Sequence, residues 1–196
     1  MFLNIFIRLF YLSSLLVGLS ACAIVSYGPD PVAPNPPPKK EGIVRFFYHT
    51  GAVANPNAEK TPLPIEFQIL QEILEEKAGF AAAIVSTPPQ TKGIHLTVYE
   101  TQKESSRLSQ GFCSLNIITL TVLPCYSDSG GYLVQYDLYV DNDLKKSYRF
   151  DITKTQASWI GLLPFSWMNA FTTDYKEAFK ATVYQFLRDS QKDGYL

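Results

Sequence analysis

Residues 132–152 read YLVQYDLYVDNDLKKSYRFDI. Tyr132, Val134, Tyr136, Leu138 and Val140 alternate with Leu133, Gln135, Asp137 and Tyr139. Beyond Asp141-Asn142-Asp143, the residues Tyr148, Phe150 and Ile152 alternate with Ser147, Arg149 and Asp151. Successive side chains of a strand point to opposite faces, so period two on both sides of a short Asp/Asn turn predicts a β-hairpin. Its strands are expected at 131–141 and 145–152, with one core face and one wetter face. Arg149 is expected to form a surface pair with Asp137 or Asp151.

Downstream of the hairpin, DYKEAFKATVYQFLRDSQKDGYL changes period. Tyr175, Phe179, Val183, Phe186 and Leu187 share one helical stripe, and Asp174 followed by Glu177 suits a helix start. Upstream, TPLPIEFQILQEILEEKAGF places Phe67, Leu70, Ile73 and Leu74 on a stripe. Pro64 fits its first turn and Gly79 its left-handed cap. IVRFFYH (43–49), AAAIVS (81–86) and GIHLTVYE (93–100) read as strands, the last with Ile94, Leu96 and Val98 facing a core and His95 on its wetter face. LNIITLTVLP (115–124) is apolar at both odd and even positions and reads as a central strand. The order β-α-β-β-β-β-β-α predicts an α+β, two-layer domain over 43–196, a mixed, mostly antiparallel sheet with two helices on one face. The first βαβ step is expected to be parallel and right-handed.

Two segments are apolar without charge: 108–127 and 155–173, 20 and 19 residues long. Their lengths raise a transmembrane pair, but Gly161, Pro164, Asn169 and several Ser and Gln residues argue against spanning. A meander would bring LTVLPCY and IGLLPFSW out side by side at one end of the sheet. The expectation is that they cap the core beneath the last helix. The alternative is an exposed lip built on Trp159, Leu162, Leu163, Phe165, Trp167 and Met168, a membrane-interface or partner site. Cys113 and Cys125 form an even pair suited to a disulfide in an oxidising compartment. A continuous strand over 115–124 would separate them by about 40 Å, far beyond bonding reach, so the strand reading disfavours the bond.

The compartment itself is read from the other end of the chain. MFLNIFIRLFYLSSLLVGLSAC has one cation, Arg8, then an apolar run and small residues, the layout of a secretory signal peptide over 1–21. Leu19-Ser20-Ala21-Cys22 resembles the lipobox of bacterial lipoproteins, which implies lipidation of Cys22 and membrane attachment through it. Ala23 in the next position, by resemblance to the sorting rule of enteric bacteria, implies the outer membrane; the expected localisation is that membrane, with the domain facing the periplasm. Residues 22–42 hold six of the 13 prolines and read as a tether able to span up to ~60 Å as polyproline II.

A net charge of -1 gives no electrostatic case for nucleic acid. Only two histidines are present, His49 and His95, without metal-ligand spacing, and no nucleophile or phosphate-loop motif occurs. Catalytic, metal and cofactor sites are therefore not assigned. Glu72, Glu75 and Glu76 read as the solvated side of their helix. The lipobox, the alternating strand pair, the Thr-Leu-x-x-Leu-Pro and Trp-Ile-Gly segments and the last helix together resemble uncharacterised bacterial envelope lipoproteins. That resemblance covers about residues 80–196 plus the signal and implies no particular activity. The expected function is a lipid-anchored envelope module that binds a protein partner or the membrane surface. The alternative is a periplasmic small-ligand carrier or enzyme with a pocket at the uncharged end of the sheet.

Overall fold

A computed structural model describes residues 23–30, 43–50, 65–84 and 93–196. Cys22, the signal-like run, the prolines from Pro31 to Pro38, the turn around Asn55 and the Thr87-Pro88-Pro89 link lie outside the described residues. The fold is α+β. Its strands are β1 (Ala23–Gly28), β2 (Ile43–Thr50), β3 (Ala81–Ile84), β4 (Ile94–Lys103), β5 (Cys125–Val140) and β6 (Asp143–Ser158). Its α-helices are α1 (Ile65–Glu72), α2 (Arg107–Ile118) and α3 (Tyr175–Lys192). The sheet runs β1-β6-β5-β4-β2-β3. β2 pairs in parallel with β3, as a βαβ step through α1 requires, and on its other side it pairs in parallel with β4.

The hairpin forms where its alternation places it, and it is longer than expected. Asp141 and Asn142, at φ 52° and 67°, make a two-residue turn. Left-handed conformation at both central residues matches the twist of the flanking strands, and Asp and Asn tolerate it better than other side chains. Asp141 also ties the turn to the start of β4: its backbone N–H donates to the Gly93 carbonyl and its carboxylate accepts from the Gly93 N–H, both at 2.9 Å.

Contacts divide the chain into two compact units. The larger contains residues 28–103, 132–152 and 175–196. Val134, Tyr136 and Leu138 of β5, Ile152 of β6, and Leu96 and Val98 of β4 are buried in it. So are Phe67, Leu70, Ile73 and Leu74 of α1 and its extension, and Phe179, Val183, Phe186 and Leu187 of α3. α1 continues as a wider π turn over Ile73–Lys77 and stops at Gly79, whose φ of 71° is the expected left-handed cap. α1 packs on α3. Phe186 of α3 stacks on Tyr136 at 4.8 Å and takes Tyr148 edge-on at 5.4 Å. The Tyr136 and Thr182 hydroxyls hydrogen-bond at 2.8 Å, so the phenol stays paired although fully buried.

Two expectations for this unit are corrected. His95 is not a surface residue: it is buried and stacks flat on Tyr139, with ring centroids 4.7 Å apart. Desolvation there lowers its pKa from 6.5. Thr97 and Asp137 are buried as well, so the face read as wet is covered along this stretch. Arg149 pairs with neither aspartate; its Nε donates to Gln135 at 2.9 Å, and Asp151 bonds Lys103 at 2.7 Å.

The smaller unit contains β1 up to Tyr27 and residues 104–131 and 153–174. Two expectations change here too. Residues 115–124 are not a strand; α2 occupies Arg107–Ile118. The proline-rich tether does not begin at Cys22, because Ala23–Gly28 is a sheet strand beside β6. Ile24, Val25 and Tyr27 are β-formers that precede the first proline of the run, so composition over the whole 22–42 window masked a strand at its start.

Candidate functional site

α2 begins at Ser106, whose Oγ accepts from the Ser109 N–H at 3.2 Å, the standard side-chain cap for an orphan helix donor. Ser106 in turn donates its own N–H to Ser129 Oγ at 2.9 Å. The helix ends where Leu120 and Thr121 both turn left-handed, at φ 50° and 66°. Non-glycine residues rarely adopt this region, and for a β-branched threonine it is a strained one. The Thr121 N–H returns to the Asn116 carbonyl at 2.7 Å, and Thr119 Oγ1 donates to the Leu115 carbonyl at 2.9 Å.

That reversal turns Cys125 back toward the helix, and a disulfide joins Cys113 to Cys125 with Cα atoms 4.9 Å apart. The bond that the strand reading disfavoured is present because a helix rises about 1.5 Å per residue rather than 3.3 Å, and because the chain then folds back. Neither reversal residue is Gly, Pro, Asn or Asp, so the turn carried no compositional sign.

The inward side of α2 is its polar side. Ser109, Cys113 and Asn116 follow the i, i+4, i+7 spacing of one helix face. Ser109 Oγ reaches the Tyr126 carbonyl at 3.4 Å, and Cys113 carries the disulfide. Asn116 is 3 % exposed. Its Nδ2 donates to the carbonyls of Leu123 and of Ser158, the latter at 3.0 Å, and its Oδ1 accepts from Ser158 Oγ at 3.2 Å. The apolar side faces outward: Leu108, Phe112, Leu115 and Ile118 repeat at the same spacing and are all exposed, Phe112 at 62 % and Ile118 at 75 %. α2 thus inverts the usual arrangement in which the apolar stripe of an amphipathic helix meets the core.

The second apolar segment adjoins the first. Ile160–Phe171 is a 3-10 segment interrupted by Pro164, with no buried residue. Trp159 donates its indole N–H to the Val122 carbonyl at 3.1 Å, and the Ile160 N–H bonds the Thr121 carbonyl at 2.8 Å. LTVLPCY and IGLLPFSW therefore lie together. The Trp159 ring lies over Gly161, where a Cβ would sit 2.6 Å from Cε3, so a larger residue would displace the indole from this position. The expectation that this segment caps a core is corrected: Trp159, Leu163, Phe165, Trp167 and Met168 are exposed, Trp167 at 62 %, and only Leu162 of the expected set is half-buried. Phe171, 81 % exposed, packs edge-on against Trp167 at 5.9 Å. Neither Leu108–Ser127 nor Thr155–Thr173 contains an Asp, Glu, Lys, Arg or His.

Of the 18 large apolar side chains exposed among the described residues, 16 lie in this smaller unit. Scattered exposed leucines are ordinary; such a concentration in one unit is not. The α2 residues were missed in the sequence; their signal was the polar i, i+4, i+7 stripe opposite them. β1 joins the same unit: Asn169 Nδ2 donates to the Ala23 carbonyl at 2.7 Å, and Asn169 Oδ1 accepts from the Val25 N–H at 3.3 Å.

No group of three or more His, Cys, Asp or Glu side chains comes together among the described residues, and no described helix is long and apolar enough to cross a membrane. No family model matches the chain, and no curated protein does. Among solved structures it is similar to a neuraminyllactose-binding hemagglutinin homologue from Helicobacter pylori. The two are 11 % identical, with 84 % of this chain and 93 % of that one covered, at a TM-score of 0.35. At that score the two folds share too little for the likeness to bear on this chain.

Proposed function

We propose that the chain is a lipid-anchored protein of the bacterial cell envelope, held at Cys22 to the outer membrane, that acts by binding through the outward apolar face of its smaller unit. The observation that carries this reading is the inversion of α2. A helix whose polar stripe is bonded inward and whose leucine, isoleucine and phenylalanine side chains point outward is folded for contact, since covering each such side chain contributes about 1.5–3 kcal/mol. Asn116, the disulfide and the strained reversal at Leu120-Thr121 are the cost and the means of holding it that way. A signal-like run ending in Leu19-Ser20-Ala21-Cys22 supports export and lipidation.

The test is photocrosslinking in intact envelopes, with a photoreactive residue placed at Phe112, at Phe171 or, as control, at Asp151. The account expects adducts from the first two positions and none from the control. Equal labelling at all three positions contradicts it. Lipidation is tested separately, by incorporation of labelled fatty acid that Cys22→Ala abolishes.

A further inference from the structure

We infer that the apolar face of the smaller unit is seated in the lipid bilayer itself, at the headgroup boundary, beside the acyl anchor. This deepens the proposed function and rests on its reading of Cys22 as the lipidated residue.

The first argument is distance. Cys22 is covalently followed by Ala23, the first residue of β1, and one residue of extended chain spans about 3.5 Å. Ala23 and Val25 are both clamped to Asn169, at 2.7 and 3.3 Å, and Asn169 belongs to the apolar 3-10 segment. The Tyr27 N–H bonds the Thr173 carbonyl just beyond that segment's end, at 2.9 Å. Acyl chains on Cys22 therefore leave the protein within one residue of the strand that the apolar segment holds. No spacer separates anchor from fold, because the proline-rich run follows β1 rather than preceding it. A surface tied this closely to a membrane anchor meets the membrane before it meets any other partner.

The second argument is chemistry. Both apolar segments lack charged side chains, so entry into the interface desolvates no ion. Trp159 and Trp167 suit the headgroup boundary, where an apolar ring can keep a polar edge wet. The Trp159 indole N–H is already satisfied by the Val122 carbonyl, which lowers the cost of immersing it. At the ends of the helix, the Ser109 N–H is capped by Ser106 Oγ and the Thr119 and Thr121 N–H groups return to the Leu115 and Asn116 carbonyls, which lessens the backbone polarity that a lipid-facing segment exposes. The inference places the face on the membrane rather than through it; no described helix is long and apolar enough to span.

The chain has only two tryptophans, and both belong to this face, so intrinsic fluorescence reads its environment directly. The full lipidated protein is reconstituted into phosphatidylethanolamine–phosphatidylglycerol vesicles containing phosphatidylcholine brominated close to the headgroup. Co-flotation reads the anchor and tryptophan quenching reads the face. The inference expects co-flotation with about a twofold fall in emission in brominated vesicles, and shielding from aqueous acrylamide. Single-tryptophan variants Trp159→Phe and Trp167→Phe should both retain quenching, since each leaves one indole in the face. Co-flotation with no bromine quenching overturns the inference while leaving the anchor intact. Acrylamide access in that case shows the face in water; acrylamide shielding together with self-crosslinking shows a second copy covering it. A lipidated chain that fails to float overturns the anchor reading and this inference with it.

Discussion

Asn116 concentrates the tension in this molecule into one side chain. It is an amide 3 % exposed on a helix whose other long side chains mostly look outward. Its bonds to Leu123, Ser158 and the Ser158 hydroxyl fasten α2 to the chain on either side. Asn116→Ala leaves the Ser158 hydroxyl and carbonyl unpaired and should destabilise by about 1–3 kcal/mol, with the amides of α2 exchanging faster and those of α3 unchanged. Uniform acceleration across both helices would contradict the assignment. Thr121 carries the opposite sign. Its φ of 66° is strained, and its buried hydroxyl has no hydrogen-bond partner among the described residues. Thr121→Gly should therefore stabilise, by about 1 kcal/mol, seen as a higher urea midpoint. His95 adds a pH dependence. Burial against Tyr139 lowers its pKa, so the folded chain keeps it neutral while the unfolded chain protonates as pH falls through 6.5. Its contribution is fully present above that pH and declines below it. His95→Gln should flatten the fall in urea midpoint over that acidic range, and parallel curves for the two proteins would refute this.

At the level of elements, the contrast between what the sequence disclosed and what it hid has a physical cause. The hairpin, α1 and α3 sort their apolar residues to one face because a core lies on one side of each, and that sorting is what periodicity detects. Residues 108–123 face the rest of their unit with polar atoms and look outward with apolar ones. Read for its apolar residues alone, the run 115–124 is continuous and fits either period. The N-cap at Ser106 and the stripe Ser109, Cys113, Asn116 carried the helical signal instead. A strand over 115–124 would also stretch the two cysteines beyond bonding reach, so their bond is hidden along with the helix. The outward lip at Trp159–Met168 was legible as an alternative because its lack of charge is compositional, independent of period. The disulfide is predicted to be the main restraint on α2. Cys113→Ser with Cys125→Ser should cost about 3 kcal/mol, the chain-entropy value for a loop of this size. Proteolysis of the double variant should begin between Arg107 and Tyr126. A variant as resistant there as the parent would show that packing alone holds the helix.

At the scale of the whole chain, contacts divide the described residues into two compact units with different surfaces. The larger unit has a conventional core, with Tyr136, Phe179 and Phe186 fully buried between the sheet and α3. The smaller unit gathers 16 of the 18 large apolar side chains exposed among the described residues, and its strand β1 begins at the residue after Cys22. A surface of that kind is stable in a cell only when something other than water covers it. The most direct test is hydroxyl-radical footprinting of the native chain in its envelope membranes, read residue by residue by mass spectrometry. Phe112, Trp167 and Phe171 are 62 %, 62 % and 81 % exposed in the isolated chain, and Leu144 of the larger unit, 53 % exposed, is the internal control. The account predicts that the three aromatics are protected in the envelope while Leu144 is oxidised. Oxidation of the three at rates that follow their exposure in the isolated chain would contradict it.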